Sequence, residues 1–290
     1  MSTVSNFLGD EFFFPYALMP HDNFAVNHIF MLALVSEKSK ADKPVHVLEV
    51  GSWCGYSTLF WAQAIKEFCD GQGVLTCVDS WAPYHNPKDR EAHLSCRAMD
   101  TAARTGAVRE TFFHNLRVAQ DKFGVNINSM CGTTDNILPL LQAEAFDIVF
   151  LDAAHSYESV RRDLPACARL VKEGGFLCGD DLEVQLHELE QLAVSYAKEN
   201  ADTDSCIADP ASKRPFHPGV TLAVGEYLGP VSGGGHSFWA MQKKNGVFER
   251  VNSVMPDRIF KPAYLNEKDR AGKFDVMLKD FYDGKIAWRR

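Results

Sequence analysis

Four side chains define the chemistry open to this 290-residue chain: Asp152, His155, Asp180 and Asp181. The first two close the run FDIVFLDAAH at 146–155, and the other two close GGFLCGDD at 174–181. Both runs are apolar with strand character, and both end in carboxylates. Strands buried on both faces of a parallel sheet read as continuous apolar stretches, and their carboxyl ends form the ligand rim of open α/β sheets. Three carboxylates converging at one rim repel one another unless a cation sits among them. All-oxygen ligation with room for substrate and water favours Mg²⁺, with Mn²⁺ or Ca²⁺ as alternatives. His155 adds a candidate base, three positions after Asp152. The bland reading also stands: Asp180 and Asp181 cap the next helix, and His155 is a helix-start hydrogen-bonder.

A second group lies upstream. In VLEVGSWCGYS (47–57), Glu49 ends a strand, and Gly51 and Gly55 flank a tight turn into a helix. Glycines there permit φ > 0 and close backbone approach to a ligand at the helix N-terminus. The spacing is GxxxG rather than GxGxxG, so a nucleotide-dependent oxidoreductase is a distant alternative that NAD(H) binding would revive. The next strand ends in Asp79, where an acid accepts hydrogen bonds from a ribose diol. Taken singly, the turn is weak evidence and a strand-terminal Asp is commonly a cap. Glu49, Gly51, Gly55 and Asp79 in this order form a far more specific pattern.

The scaffold that must hold these residues is legible as alternation. Strand-like runs cover 44–51, 73–81, 125–134, 146–153 and 174–181, with helical stretches over 57–70, within 88–122, and over 135–143 and 158–173. Strands alternating with helices specify a Rossmann-like, doubly wound α/β fold with a mostly parallel, seven-stranded sheet. Pro165 predicts a kink or a late start in the last helix. SFWAMQKK-NG-VFERVN (237–252) predicts an antiparallel C-terminal hairpin turning at Asn245-Gly246. The expectation is one domain over 1–290. Residues 1–40, with a helix near 22–37, would cap the rim. Residues 183–240 would form a lid or insert, comprising a helix within 184–200 and a turn-rich loop at 201–219.

These motifs together carry a resemblance. The ExGxxxG turn and the acid ending the second strand look like a class I S-adenosylmethionine-dependent methyltransferase. More narrowly, LEVGSWCGYS, GTTDNILPLL, FDIVFLDAAH and GGFLCGDD resemble the metal-dependent small-molecule O-methyltransferases, both the catechol enzymes and the antibiotic-pathway sugar enzymes. The likeness covers roughly 44–182. It implies that Glu49, Gly51, Ser52, Gly55, Tyr56 and Ser57 line the methionine end of S-adenosylmethionine. It also implies that Asp79 binds the ribose hydroxyls and that Thr133, Thr134 and Asp135 contact adenine. Asp152 would touch both cofactor and metal, with Asp180 and Asp181 completing the Mg²⁺ ligands. Catechol enzymes carry Asn where this chain has Asp181, and a lysine base where it has His155; the sugar enzymes share the imidazole.

The implied reaction is methyl transfer to a hydroxyl of a small catechol-, sugar- or polyketide-like molecule. A phenol-like hydroxyl has pKa about 10 and free imidazole about 6.5, so proton transfer to His155 alone is uphill by about 5 kcal/mol. Binding the hydroxyl to a metal removes most of that gap. Two other readings remain: a metal-independent methyltransferase using His155 as base, and a catalytically silent S-adenosylmethionine-binding partner protein.

Composition narrows the class. A net charge of −8 argues against a nucleic-acid binder, and no apolar run approaches a membrane span. The eight scattered cysteines, without a CxxC pair, predict free thiols and leave no clustered soft ligands for zinc. With a start lacking the charged region of a signal peptide, a cytoplasmic protein is expected. His217 and His236 read as structural or solvated. Trp53, Trp81, Phe112, Phe113 and Trp239 read as core or pocket wall. The apolar FFFPYALM (12–19) suggests a homodimer contact.

Overall fold

The computed structural model describes residues 24–41, 43–251, 254–262 and 268–289. Five parallel strands form the centre: β1 (Val45–Val50), β2 (Gly73–Asp79), β3 (Asn126–Cys131), β4 (Phe146–Leu151) and β5 (Val171–Gly179), in the order β3-β2-β1-β4-β5. The order reverses between β1 and β4, which opens a crevice beyond their carboxyl ends. Helices α1 (Phe24–Ser39), α2 (Tyr56–Cys69), α3 (Pro87–Ala92), α4 (Leu94–Arg104), α5 (Ala107–Phe123), α6 (Thr134–Ile137) and α7 (Tyr157–Leu170) precede or connect these strands.

Strand alternation divides the sheet into two cores. Val47, Ile148, Phe150 and Phe176 pack with α1, α2 and α5, while Leu48, Val50, Val149, Leu151 and Leu177 pack with α7 on the opposite face. Beyond β5 come α8 (Gln191–Glu199), a short pair of β6 (Ile207–Ala208) with β7 (Pro215–Phe216), and α9 (Pro218–Leu228). Then β8 (Ser232–Gly234) and β10 (Val247–Arg250) both pair with β9 (Phe238–Lys244), which runs antiparallel to β5. The hairpin turns at Asn245 (φ 52°) and Gly246 (φ 78°), as the Asn-Gly signal predicts. The C-terminal α10 (Lys268–Tyr282) adds Phe274 and Met277 to the α1 side of the core.

The departures from expectation have local causes. The sheet has eight strands rather than seven because three residues of β8 join its edge. The 135–143 helix shrinks to α6 and a 3₁₀ turn at Leu138–Leu140, since Pro139 has no N–H to continue the ladder. The 88–122 stretch is three helices, broken by the extended His93 and by Gly106 at φ 81°. The helix foreseen over 158–173 starts at Tyr157 and runs through Pro165, which lies on the exposed face where water can serve the freed carbonyl. Residues 183–240 carry α8, the β6–β7 pair, α9 and β8 rather than one long helix and a loop. Among the described residues no helix is long and apolar enough to cross a membrane. All eight cysteines are free. The FFFPYALM segment, and with it the dimer expectation, lies outside the described residues.

Candidate active site

The turn after β1 is built around Gly51. Its φ is 92°, and a Cβ there would stand 1.9 Å from the carbonyl oxygen of Asp152. Only glycine lets the ends of β1 and β4 touch in this way. Gly55, at φ 86°, then caps the N-terminus of α2, so Tyr56 and Ser57 fall in its first turn. Glu49 is fully buried and accepts a 2.5 Å hydrogen bond from Thr58 Oγ1. Burial pushes its carboxyl up, against the opposing pull of the Ser57 and Thr58 hydroxyls. Glu49 Oε1 and Ser52 Oγ are buried without a hydrogen bond of good geometry among the described residues, although the Ser52 hydroxyl lies close enough to lower the Glu49 carboxyl. Buried polar atoms are seldom left so. An acceptor and a hydroxyl orphaned beside a helix N-terminus suit the ammonium and carboxylate of an amino-acid moiety.

Asp79 braces the turn from β2. Its carboxylate accepts from the backbone N–H of Trp53 at 2.8 Å and of Trp81 at 2.6 Å. Burial raises this carboxyl, and those backbone donors offset part of the rise. Trp81 Nε1 donates to the Trp53 carbonyl at 2.9 Å, closing the wall. Gly132 N donates to the Asp79 carbonyl at 2.9 Å, which brings Thr133, the N-cap of α6, to the same rim. Thr134 and Asp135 face Arg162 instead, at 3.2 and 2.7 Å, so their side chains lie along α7.

The carboxylate cluster lies directly across the Gly51 contact. His155 Nε2 stands 2.9 Å from Asp181 Oδ2 and 3.6 Å from Asp152 Oδ1. Asp181 adopts a left-handed φ of 61°, which aspartate tolerates and which directs its carboxylate back over β4. Asp204 accepts from His155 N at 2.5 Å and faces Nδ1 at 3.4 Å, and it links onward to His85 at 3.6 Å and Asp100. Burial alone would lower the His155 imidazole, but Asp181 and Asp204 together raise it well above its ordinary value. Burial raises Asp152, with the Asp181 charge adding to the rise. Asp181 itself is lowered, because His155 and His217 outweigh its burial. The imidazoles thus supply positive charge to a rim otherwise crowded with carboxylates.

The structure does not bring the Asp180 carboxylate into this group. Burial raises that carboxyl well above the usual range, and the charges of Asp181 and Asp152 add to the rise. It accepts from Asn27 Nδ2 at 2.9 Å, Ser237 Oγ at 2.5 Å and Asp181 N at 2.9 Å. Helix α1 thus touches the Asp180 carboxylate through Asn27.

Sequence reasoning missed Asp204, Glu183 and the placement of His217. His217 Nδ1 stands 3.5 Å from Asp181 Oδ1 and 3.0 Å from Glu183 Oε1, and its ring centre is 4.9 Å from that of His155. Gly219 makes this possible. A Cβ there would stand 2.2 Å from the His155 carbonyl oxygen, so only glycine lets the start of α9 press against 155–157. A Pro-Gly following His217 was the available signal. His236 is exposed, as its solvated reading requires. Trp81, Phe112 and Trp239 are buried and Trp53 and Phe113 partly so, all as wall or core.

Residues 48–182 match the family model described as a methyltransferase domain. No curated protein matches the sequence. Among solved structures, the O-methyltransferase NovP shares 16% identity, with 76% of this chain and 80% of that chain covered and a TM-score of 0.51. An O-methyltransferase from Bacillus cereus, solved with SAH, shares 14% identity over 79% of this chain and 84% of that one, at a TM-score of 0.42. The first likeness supports the fold and the family match supports the domain. Residues 48–182 are thus similar to a methyltransferase domain, and the fold resembles that of the O-methyltransferase NovP.

Proposed function

We propose that the protein transfers the methyl group of S-adenosylmethionine to a hydroxyl of a small molecule, at a divalent cation held by Asp152 and Asp181. One observation carries this reading: the Asp152–His155–Asp181 cluster adjoins the Glu49–Gly55 turn through the Gly51 contact. The name of NovP favours an oxygen acceptor.

In this reading Glu49 and Ser52 hold the methionine end of the cofactor, and Asp79 receives the ribose. The pairing of Asp152 with Asp181 suits a hard cation, Mg²⁺ above all, because both offer carboxylate oxygens at one rim. Such an ion would acidify and orient the acceptor hydroxyl while weakening the field that keeps His155 protonated. Asp204 holds His155 from its Nδ1 side, so Nε2 faces the acceptor. Asp180, the third ligand implied by the resemblance, would have to leave Asn27 and Ser237 to join. The raised pKa of His155 counts against the metal-independent reading, since a protonated imidazole is no base.

The test is methyl transfer across catechols, sugars and hydroxy acids, with S-adenosylhomocysteine binding followed by calorimetry. Activity should vanish with EDTA and return with Mg²⁺, and Asp181→Ala should lower kcat by roughly 100-fold or more. Transfer that survives both treatments would overturn the metal. Binding of the cofactor without turnover on any acceptor would support the silent-partner alternative.

A further inference from the structure

Behind the rim, Glu183, Cys206 and His217 bring a carboxylate oxygen, a thiol sulfur and a ring nitrogen within 4.8 Å of one another. His217 Nδ1 faces them all: 3.0 Å to Glu183 Oε1, 3.4 Å to Cys206 Sγ and 3.5 Å to Asp181 Oδ1. One nitrogen can direct at most one proton, so a single N–H cannot satisfy three acceptors. The Sγ to Glu183 Oε1 distance is 3.9 Å. A tetrahedral ion with sulfur at about 2.3 Å and nitrogen and oxygen at about 2.0–2.2 Å requires ligand separations of roughly 3.4–3.6 Å. The three separations among Glu183 Oε1, Cys206 Sγ and His217 Nδ1 depart from that by only a few tenths of an ångström, and Asp181 Oδ1 meets it toward Nδ1.

We propose that Glu183, Cys206 and His217, completed by Asp181 Oδ1, form a binding site for a borderline-soft divalent ion of the Zn²⁺ or Co²⁺ type. The ligand set distinguishes it from the hard-cation position between Asp152 and Asp181, because thiolate and imidazole select against Mg²⁺. Its supporting contacts are present. The His217 backbone N–H donates to Glu183 Oε2 at 3.1 Å and Arg214 donates to the Glu183 carbonyl at 3.0 Å, which fixes the carboxylate's aim. Cys206 is exposed, giving an ion a route in. Two ligands come from the 201–219 segment and two from the residues just after β5, so an ion would pin that segment against the rim. The inference does not depend on the proposed reaction; the two share only Asp181.

Cys131 provides the control, being the other exposed cysteine. The metal-stripped full chain is alkylated with iodoacetamide, with and without two equivalents of Zn²⁺, and each cysteine is followed by peptide mass spectrometry. Zinc should slow alkylation of Cys206 by about tenfold or more and leave Cys131 unchanged, because a bound thiolate is withheld from reaction. Co²⁺ should give a thiolate charge-transfer band in the wild type and in Asp152→Asn. Cys206→Ser and His217→Ala should lose it. The proposal is overturned if Zn²⁺ leaves Cys206 as reactive as before, or if the band is absent from the wild type or survives Cys206→Ser. A band retained in Asp152→Asn alongside lost methyl transfer separates this site from the catalytic reading.

Discussion

Gly51 and Asp152 meet where the turn after β1 touches the end of β4, and a methyl group at Gly51 would enter the carbonyl of Asp152 at 1.9 Å. Gly51→Ala combines that collision with a positive φ that alanine disfavours by about 1–2 kcal/mol. We expect a loss of at least about 3 kcal/mol in urea unfolding, with S-adenosylhomocysteine binding lost even where the variant folds. A separate test concerns His28, whose imidazole burial lowers to about 3 while Nε2 contacts the Phe260 carbonyl at 3.2 Å. Its folded pKa lies below its unfolded value, so its neutral form is favoured in the fold. Stability is intact above pH 6.5 and falls by up to about 1.4 kcal/mol per pH unit below it, levelling near pH 3. His28→Phe should remove roughly 2 kcal/mol of the difference in unfolding free energy between pH 7 and pH 5. Asp152, His155 and Asp181 were readable because each sits at or near the end of an apolar run. Asp204 and Glu183 were not, since an acid in a turn-rich stretch looks the same whether it is solvated or folded onto a histidine.

Among the elements, α9 has the largest influence on the site for its size. Its first turn rests on the backbone of 155–157, and Gly219 has no room there for a side chain. Gly219→Val should lift α9 and carry His217 away from Asp181. That would show as a lower Tm by several degrees and as a changed histidine titration in NMR, with the Gly51 turn still binding cofactor. The strands from β1 to β5 were legible because their runs are apolar and separated by helix-length spacers. The break between α3 and α4 was not, because His93 interrupts a helix through its backbone angle rather than through a Gly or Pro, whereas the break before α5 falls at Gly106. The 3₁₀ turn after α6 could have been read from Pro139, and the continuity of α7 through Pro165 could not, since exposure decides whether the freed carbonyl finds water.

At the scale of the whole molecule, α1 and the segment after α10 meet at the sheet edge. Trp288 packs edge-on against Phe30 of α1 at 4.6 Å between ring centres, and its Nε1 donates to the Val254 carbonyl at 2.6 Å. Arg289 exchanges backbone hydrogen bonds with Gly233 in β8 at 2.6 and 3.0 Å. Trp288→Ala should therefore destabilise the protein by about 3–5 kcal/mol in urea unfolding, although no residue of the cofactor turn is touched. The same stitching sets a timetable for the nascent chain. A ribosome completes the sheet strands that carry Asp152 and Asp180 long before it delivers the tryptophan that clamps α1, the helix whose Asn27 holds Asp180. Domains fold from the N-terminus as they emerge, so α1 waits for a partner made after every named strand. A product stalled before Trp288 would contain the whole stretch 48–182 that is similar to a methyltransferase domain and still lack the clamp on the helix that holds Asp180.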